Sequence, residues 1–271
     1  MAPKSTQLLR YLTSIQDARP INFSAFLKCL PYEYAQNWQK HFQVAMVAPQ
    51  KWVVTCTGDV LDQLLLMAQP TQDRAHAASV GDSHRHGNDI SFLLVYHEGC
   101  ADPRPDTVVV TPDGWHQASH PKPRALIVEN EFNFFRCAEM LDIVSGFVSK
   151  PLSLTNTDVI LGSGDRIAGE IYRPWLNQYQ QIFCAFDYDL AGLHNYASLQ
   201  RNLKAPCRFV QPKDWTAWYW AFRKPYQKSG VAAVNLANQL GFASLAQALI
   251  KTGHFMEQEM LLRTPSQDAS Q

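Results

Sequence analysis

Two apolar runs of this chain end in carboxylates. ALIVE closes at Glu129, and QIFCAFDYD closes at Asp187 and Asp189 with LAGL directly after it. Residues i and i+2 of a strand share a face, so Asp187 and Asp189 present two carboxylates to one space if the strand persists that far. Three converging acids with no cation in the motif repel one another, and at least one holds a proton at neutral pH unless a divalent cation sits among them. Oxygen ligands without His or Cys favour Mg²⁺ or Mn²⁺ over zinc. The expected cofactor is Mg²⁺, or Mn²⁺ in its place, serving phosphate chemistry. Gly192 after the acids, and the GSG of Gly162 to Gly164, are expected to let backbone approach an anionic substrate. Asp165 can join the acids or cap the helix that follows it, and DYDLAG taken alone can also be a helix cap.

Such acids need a frame, and the second half of the chain alternates strand and helix as a parallel sheet with crossover helices requires. The strands are ALIVE (125–129), DVILGS (158–163), QIFCAFD (181–187) and CRFVQ (207–211). Between them FNFFRCAEMLDIVSGFV, RIAGEIYRPWLNQY and LAGLHNYASLQRNL read as helices, the first with Phe134, Ala138 and Leu141 on one stripe. In such a sheet, ligands bind outside the carboxyl ends of the strands, where strand order reverses. From Trp215 onward the pattern is helical, in TAWYWAFR, VAAVNLANQL and SLAQALIKTGHFMEQEMLL.

The front half is less specific. LLRYLTSIQ, INFSAFLKCL and PYEYAQNWQKHFQVAMV carry apolar residues at helical spacing, and KWVVTCTG alternates like a strand. Helices followed by a strand fit a winged-helix unit over residues 1 to about 58. Residues 59–80 read as helical again, GDSHRHGND breaks the run, and SFLLVYHE and DTVVVTPDG read as strands. The Pro-rich HPKPR then marks the expected domain boundary, giving an N-terminal DNA- or partner-binding domain (1–120), a catalytic domain (121–264) and a frayed tail (265–271).

The chain has 271 residues, 46% of them hydrophobic and 18% charged, as an ordinary globular protein does. Its 24 Lys plus Arg balance 24 Asp plus Glu, so no global field draws it to nucleic acid and any such binding needs local patches. The six cysteines show no CxxC and read as small buried hydrophobes in a reducing compartment. With no apolar stretch near the length of a membrane span, no membrane partner and a cytoplasmic location are expected.

LIVENEFNFF, then VILGSG, then FCAFDYDLAGL together resemble a Toprim domain. ENxxNF and DxDxxGL are similar to words in the nuclease subunit of SMC-type plasmid-defence complexes, the Wadjet JetD or MksG family, itself distantly related to the A subunit of topoisomerase VI. GDSHR at 81–85 resembles a segment ahead of that domain, and MEQEML at 256–261 its C-terminal LEQE-like element. The resemblance covers 124 to about 262 and reaches the first 120 residues only loosely. It implies an α/β, Toprim-like Rossmannoid sheet with flanking helices, preceded by a mainly helical, winged-helix-like domain. It implies a Mg²⁺-dependent DNA endonuclease, the effector of an SMC-kleisin-type complex acting against plasmids or foreign DNA, working as a homodimer. Glu129 matches the Toprim glutamate, and Asp187 and Asp189 the metal-binding pair; Glu131, Asp165, Glu257 and Glu259 are supporting candidates.

His84, Arg85 and His86 either contact phosphates or form a solvated loop. Arg223, Lys224 and Lys228, interleaved with aromatics, fit a nucleic-acid surface or a solvated helix end. Topoisomerase VI relatives break DNA with a tyrosine; Tyr32 and Tyr34 read as core or surface residues, and no covalent DNA intermediate is expected. The rivals are a Toprim-like regulatory subunit that binds without cutting, and a DxD phosphatase, whose aspartates open the first strand of the domain, whereas Asp187 lies on the third.

Overall fold

Runs of apolar residues, bounded by turn-forming residues, fold into four parallel strands: β6 (Arg124–Val128), β7 (Thr157–Leu161), β8 (Gln181–Ala185) and β9 (Cys207–Phe209). Every residue of β7, and all but the first of β6 and β8, is buried, the pattern of strands covered on both faces. The computed structural model describes residues 4–69, 90–100, 104–226 and 229–263. The chain divides into two units, Met1–Asn88 and Asp89–Gln271.

In the second unit the sheet has seven strands. Antiparallel β3 (Ser91–Tyr96), β4 (Asp106–Thr111) and β5 (Gly114–His116) extend the parallel strands in the order β5-β4-β3-β7-β6-β8-β9. The strands at 91–116 therefore belong with the acids, and the domain break lies ahead of them rather than at Pro121 and Pro123. The physical reason is pairing: β3 donates one edge to β4 and the other to β7, through Val95 opposite Ile160 and Tyr96 opposite Val159. The architecture is mixed α/β, a multi-stranded sheet with flanking helices, consistent with a generic Rossmannoid fold.

Crossing from β6 to β7 goes one way along the sheet, and β8 returns to the other side of β6. The strand order thus reverses between β6 and β8, the position at which open α/β sheets bind ligands beyond the strand ends. Both acid-tipped runs end there.

Some expected helices are broken. FNFFRCAEMLDIVSGFV splits into a single turn, α6 (Glu131–Phe134), and α7 (Cys137–Val148), because Arg136 leaves the helical region at φ −107°, ψ 38°. The buried face of α7 is Met140, Leu141, Val144 and Val148, while Ala138 is exposed. RIAGEIYRPWLNQY forms 3₁₀ turns at Gly164–Ala168 and Glu170–Tyr172 and a short α8 (Arg173–Leu176), interrupted at Gly169 and with Pro174 in its first turn. TAWYWAFR forms a 3₁₀ turn, Thr216–Ala221, followed by the short β10 (Lys224–Pro225). LAGLHNYASLQRN does form one helix, α9 (Leu190–Asn202), and α10 (Gly230–Gln239) follows. The last helical run stops at Gly253, whose φ of 66° caps α11 (Ala243–Thr252); β11 (His254–Phe255) then pairs with β10, and Gln258–Leu262 closes as a 3₁₀ turn.

The first unit packs Leu8, Leu12, Ile15, Phe23, Phe26 and Leu64 in its own core. Helices α1 to α4 (Lys4–Gln16, Phe23–Leu27, Tyr32–Gln36, Trp38–His41) precede a hairpin of β1 (Phe42–Ala48) and β2 (Lys51–Cys56), and α5 (Val60–Ala68) follows. FQVAMVA, expected as helix, is a strand because it pairs along its length with β2. Tyr32 is exposed, and Tyr34 is buried with its hydroxyl donating to Gln63 Oε1 at 2.8 Å.

Candidate metal and active site

Glu129 follows β6 directly, and Asp187 stands two residues beyond β8. Because β6 and β8 are neighbours in parallel register, with Val128 opposite Ala185, these acids meet. The Asp187 backbone N–H donates to Glu129 Oε2 at 2.8 Å. Beyond β8 the alternation of a strand persists through one bridge, Tyr188 to Met256. Tyr188 therefore turns into the core, its hydroxyl donating to Val210 O at 3.0 Å, while the acids on either side turn outward to one space. Lys224 Nζ marks that space, lying 4.0 Å from Asp187 Oδ2, 3.5 Å from Asp189 Oδ2 and 3.4 Å from Glu257 Oε1.

Asp189 has two tasks. Its Oδ1 accepts from the Gly192 N–H at 3.0 Å and caps α9, leaving Oδ2 for the shared space. Gly192 proves to be a packing requirement: a Cβ there would lie 2.1 Å from the Asp187 carbonyl oxygen. Its N–H is spent on Asp189, so the expected approach to a bulky anion gives way to a close contact between α9 and the loop that carries both aspartates.

Gln258 ties the group together, and the sequence reading missed it. Fully buried, it donates its backbone N–H to Asp187 Oδ1 at 2.8 Å and its amide to Ala185 O, while its Oε1 accepts from the Glu129 N–H at 3.2 Å and Asn133 Nδ2 at 2.8 Å. Asn130 of the same ENxxNF word caps α6 by accepting from the Asn133 N–H at 3.0 Å. A glutamine between two glutamates looks like surface in sequence; the clue was its place in MEQEML.

Burial raises the Glu129 carboxyl, with Asp189 and Glu259 adding to the effect against the Asp187 N–H and Lys224. Burial also raises Asp187, to about 7, and Glu129, Asp189 and Glu259 push the same way. Lys224 is held above the ordinary lysine range by Asp189, Asp187 and Glu257, against the burial that works to lower it. Several acids thus share one ammonium, and an all-oxygen donor set with an excess of negative charge fits a hard divalent cation.

Of the supporting candidates, Glu257 joins through Lys224, and Glu259 lines a cleft of about 430 Å³ with Glu129, Glu131, Phe132 and Ser163. Asp165 is exposed in its 3₁₀ turn, and the hydrogen bonds and ion pairs of the three acids do not include it. Lys224 faces the acids, whereas Arg223 is exposed and donates to Trp220 O at 2.6 Å. His84, Arg85, His86 and Lys228 lie outside the described residues.

A second cluster was not anticipated. His97, Cys100 and Asp106 each offer a ligand atom, all within 4.8 Å of one another, and can hold a metal ion. Among the described residues no other group of three is so tightly gathered, the acids around Lys224 included. The His-x-x-Cys spacing of HEGC was the signal in the sequence. The cysteines form no disulfide among the described residues; Cys184 is buried and the other five are partly exposed.

Among the described residues no helix is long and apolar enough to cross a membrane. Comparison of the chain with protein-family models and with curated proteins finds no match.

Proposed function

We propose that the protein is a divalent-metal-dependent DNA endonuclease of the Toprim type, with Glu129, Asp187 and Asp189 as its catalytic acids. The observation that carries this reading is the meeting of the acids at the reversal of strand order, joined by the Asp187 N–H to Glu129 Oε2 bond of 2.8 Å. These three residues would hold Mg²⁺ or Mn²⁺, whose charge, when bound, offsets the negative charge that builds on a phosphodiester during hydrolysis. Glu129, with its raised pKa, suits a general acid or base as well as a ligand. Gln258 and the cap at Asp189 fix the carboxylates before substrate arrives, so little reorganisation opposes the reaction.

DNA as substrate, a winged-helix role for the helices and hairpin of the first unit, homodimer formation and an SMC-kleisin-type partner rest on the resemblance of ENxxNF and DxDxxGL. The neutral overall charge favours the second reading, a regulatory subunit that binds without cutting. Supercoiled plasmid incubated with Mg²⁺ or Mn²⁺ separates the two. Nicking by the wild-type chain that is lost in Asp187→Asn and Glu129→Gln supports the nuclease; nicking at equal rates by wild type and both variants refutes this site, and no nicking with or without an SMC-type partner favours the regulatory subunit.

A further inference from the structure

We propose that His97, Cys100 and Asp106 form a site for a zinc-class ion, separate from the acids and at the opposite end of the sheet. β3 runs antiparallel to β7, so the carboxyl end of β3 lies beside the start of β7, whereas Glu129 and Asp187 lie beyond the ends of β6 and β8. A cation bound at His97 is therefore no part of the hydrolytic set.

The hairpin builds this site. Cys100 N–H donates to His97 O at 3.0 Å, closing a turn with Glu98 and Gly99 at its centre that sets the two ligands three residues apart, within the spacing zinc sites use. Asp106 opens β4 directly opposite Val95, and its Oδ2 lies 2.7 Å from His97 Nε2. Imidazole, thiolate and carboxylate together suit a borderline-soft ion, in contrast with the all-oxygen acids. Three protein ligands leave one tetrahedral position for water.

The surroundings favour added positive charge. Asp158 is fully buried and within electrostatic reach of His97; its Oδ2 accepts from Lys122 N and the Tyr179 hydroxyl, while its Oδ1 has no hydrogen-bond partner.

Metal-free, His97 and Asp106 pair with each other, while Cys100 turns to the backbone. Nδ1 of His97 accepts from the Gly99 N–H at 3.1 Å, so the ring proton sits on Nε2 and points at Asp106, and the Cys100 thiol donates to Val95 O at 3.6 Å. Binding through Nε2 moves the ring proton to Nδ1, where it faces the Gly99 N–H. Rotating the Glu98–Gly99 peptide removes that conflict and offers the Glu98 carbonyl as acceptor, the partner a metal-bound histidine requires. The rotated turn needs left-handed backbone at its third residue, and Gly99, which is not left-handed here, can adopt it. The thiol proton leaves to solvent, and the ion ties the end of β3 to the start of β4.

The test is cobalt substitution in the full chain after chelation. Wild type should show a thiolate-to-cobalt absorption band, from the one Co²⁺ held at Cys100, that zinc abolishes. Asp187→Asn should keep the band, so failure of the nuclease reading leaves this result intact. Cys100→Ser and His97→Gln should lose it, and Gly99→Ala should need several-fold more Co²⁺. Zinc should raise the unfolding temperature of wild type and leave that of Cys100→Ser unchanged. Absence of a thiolate band in wild type at saturating Co²⁺, or an undiminished band in both Cys100→Ser and His97→Gln, would overturn the proposal.

Discussion

The Asp187 backbone N–H donates to Glu129 Oε2 at 2.8 Å, so a carboxylate beyond one strand fixes the loop beyond its neighbour. Glu129→Ala leaves that half-buried N–H without an acceptor, at a cost of about 1–3 kcal/mol. Glu129→Gln keeps an acceptor oxygen and should lose less stability while losing DNA cleavage. Denaturant unfolding of the two variants beside their nicking rates measures both effects.

Gln258→Ala removes the side chain that bridges Glu129, Asn133 and Ala185, and it strands several groups that are buried or nearly so. The expected loss is about 2–4 kcal/mol in urea unfolding. Divalent-metal affinity should fall as well, although Gln258 is assigned no place among the ligands.

Gly192→Ala forces a Cβ to within 2.1 Å of the Asp187 carbonyl oxygen. A shift of α9 away from the aspartates follows, costing about 1–3 kcal/mol. Gly146→Ala is the control: it lies in α7 with nothing within 4 Å of an added Cβ, and should stabilise by about 0.5–1 kcal/mol. Thermal unfolding of the pair distinguishes close packing from a general intolerance of alanine.

Asp187 stands at about 7 in the folded chain against an ordinary 3.8. The folded state therefore holds its proton more tightly than the unfolded state, and the stability this gives is complete below about pH 4 and lost as pH rises toward 7. Glu129, also raised, works in the same direction. Urea unfolding of the metal-free protein should show stability falling across that window, and Asp187→Asn should flatten the fall.

The parallel strands were legible because ALIV, VIL and IFCA are buried on both faces and so are apolar throughout. Glu129, Asp187 and Asp189 stood out because they end those runs. Membership of β3 to β5 in the same sheet was not legible, since it depends on β3 pairing with β7 across more than sixty residues of chain. Nor was the break at Arg136, where a continuous helical pattern conceals a local change of backbone. Lys224 read as a surface charge among aromatics, and only the β10–β11 ribbon turns it toward the acids.

The central claim is that Glu129, Asp187 and Asp189 hold a divalent cation, and Mn²⁺ binding followed by calorimetry tests it most directly. Wild type should bind Mn²⁺ with Mg²⁺ competing, and Asp187→Asn and Glu129→Gln should each weaken binding by about tenfold or more, a loss of at least about 1.4 kcal/mol. Cys100→Ser should leave this binding unchanged. Equal Mn²⁺ affinity in wild type and both acid variants would contradict the account.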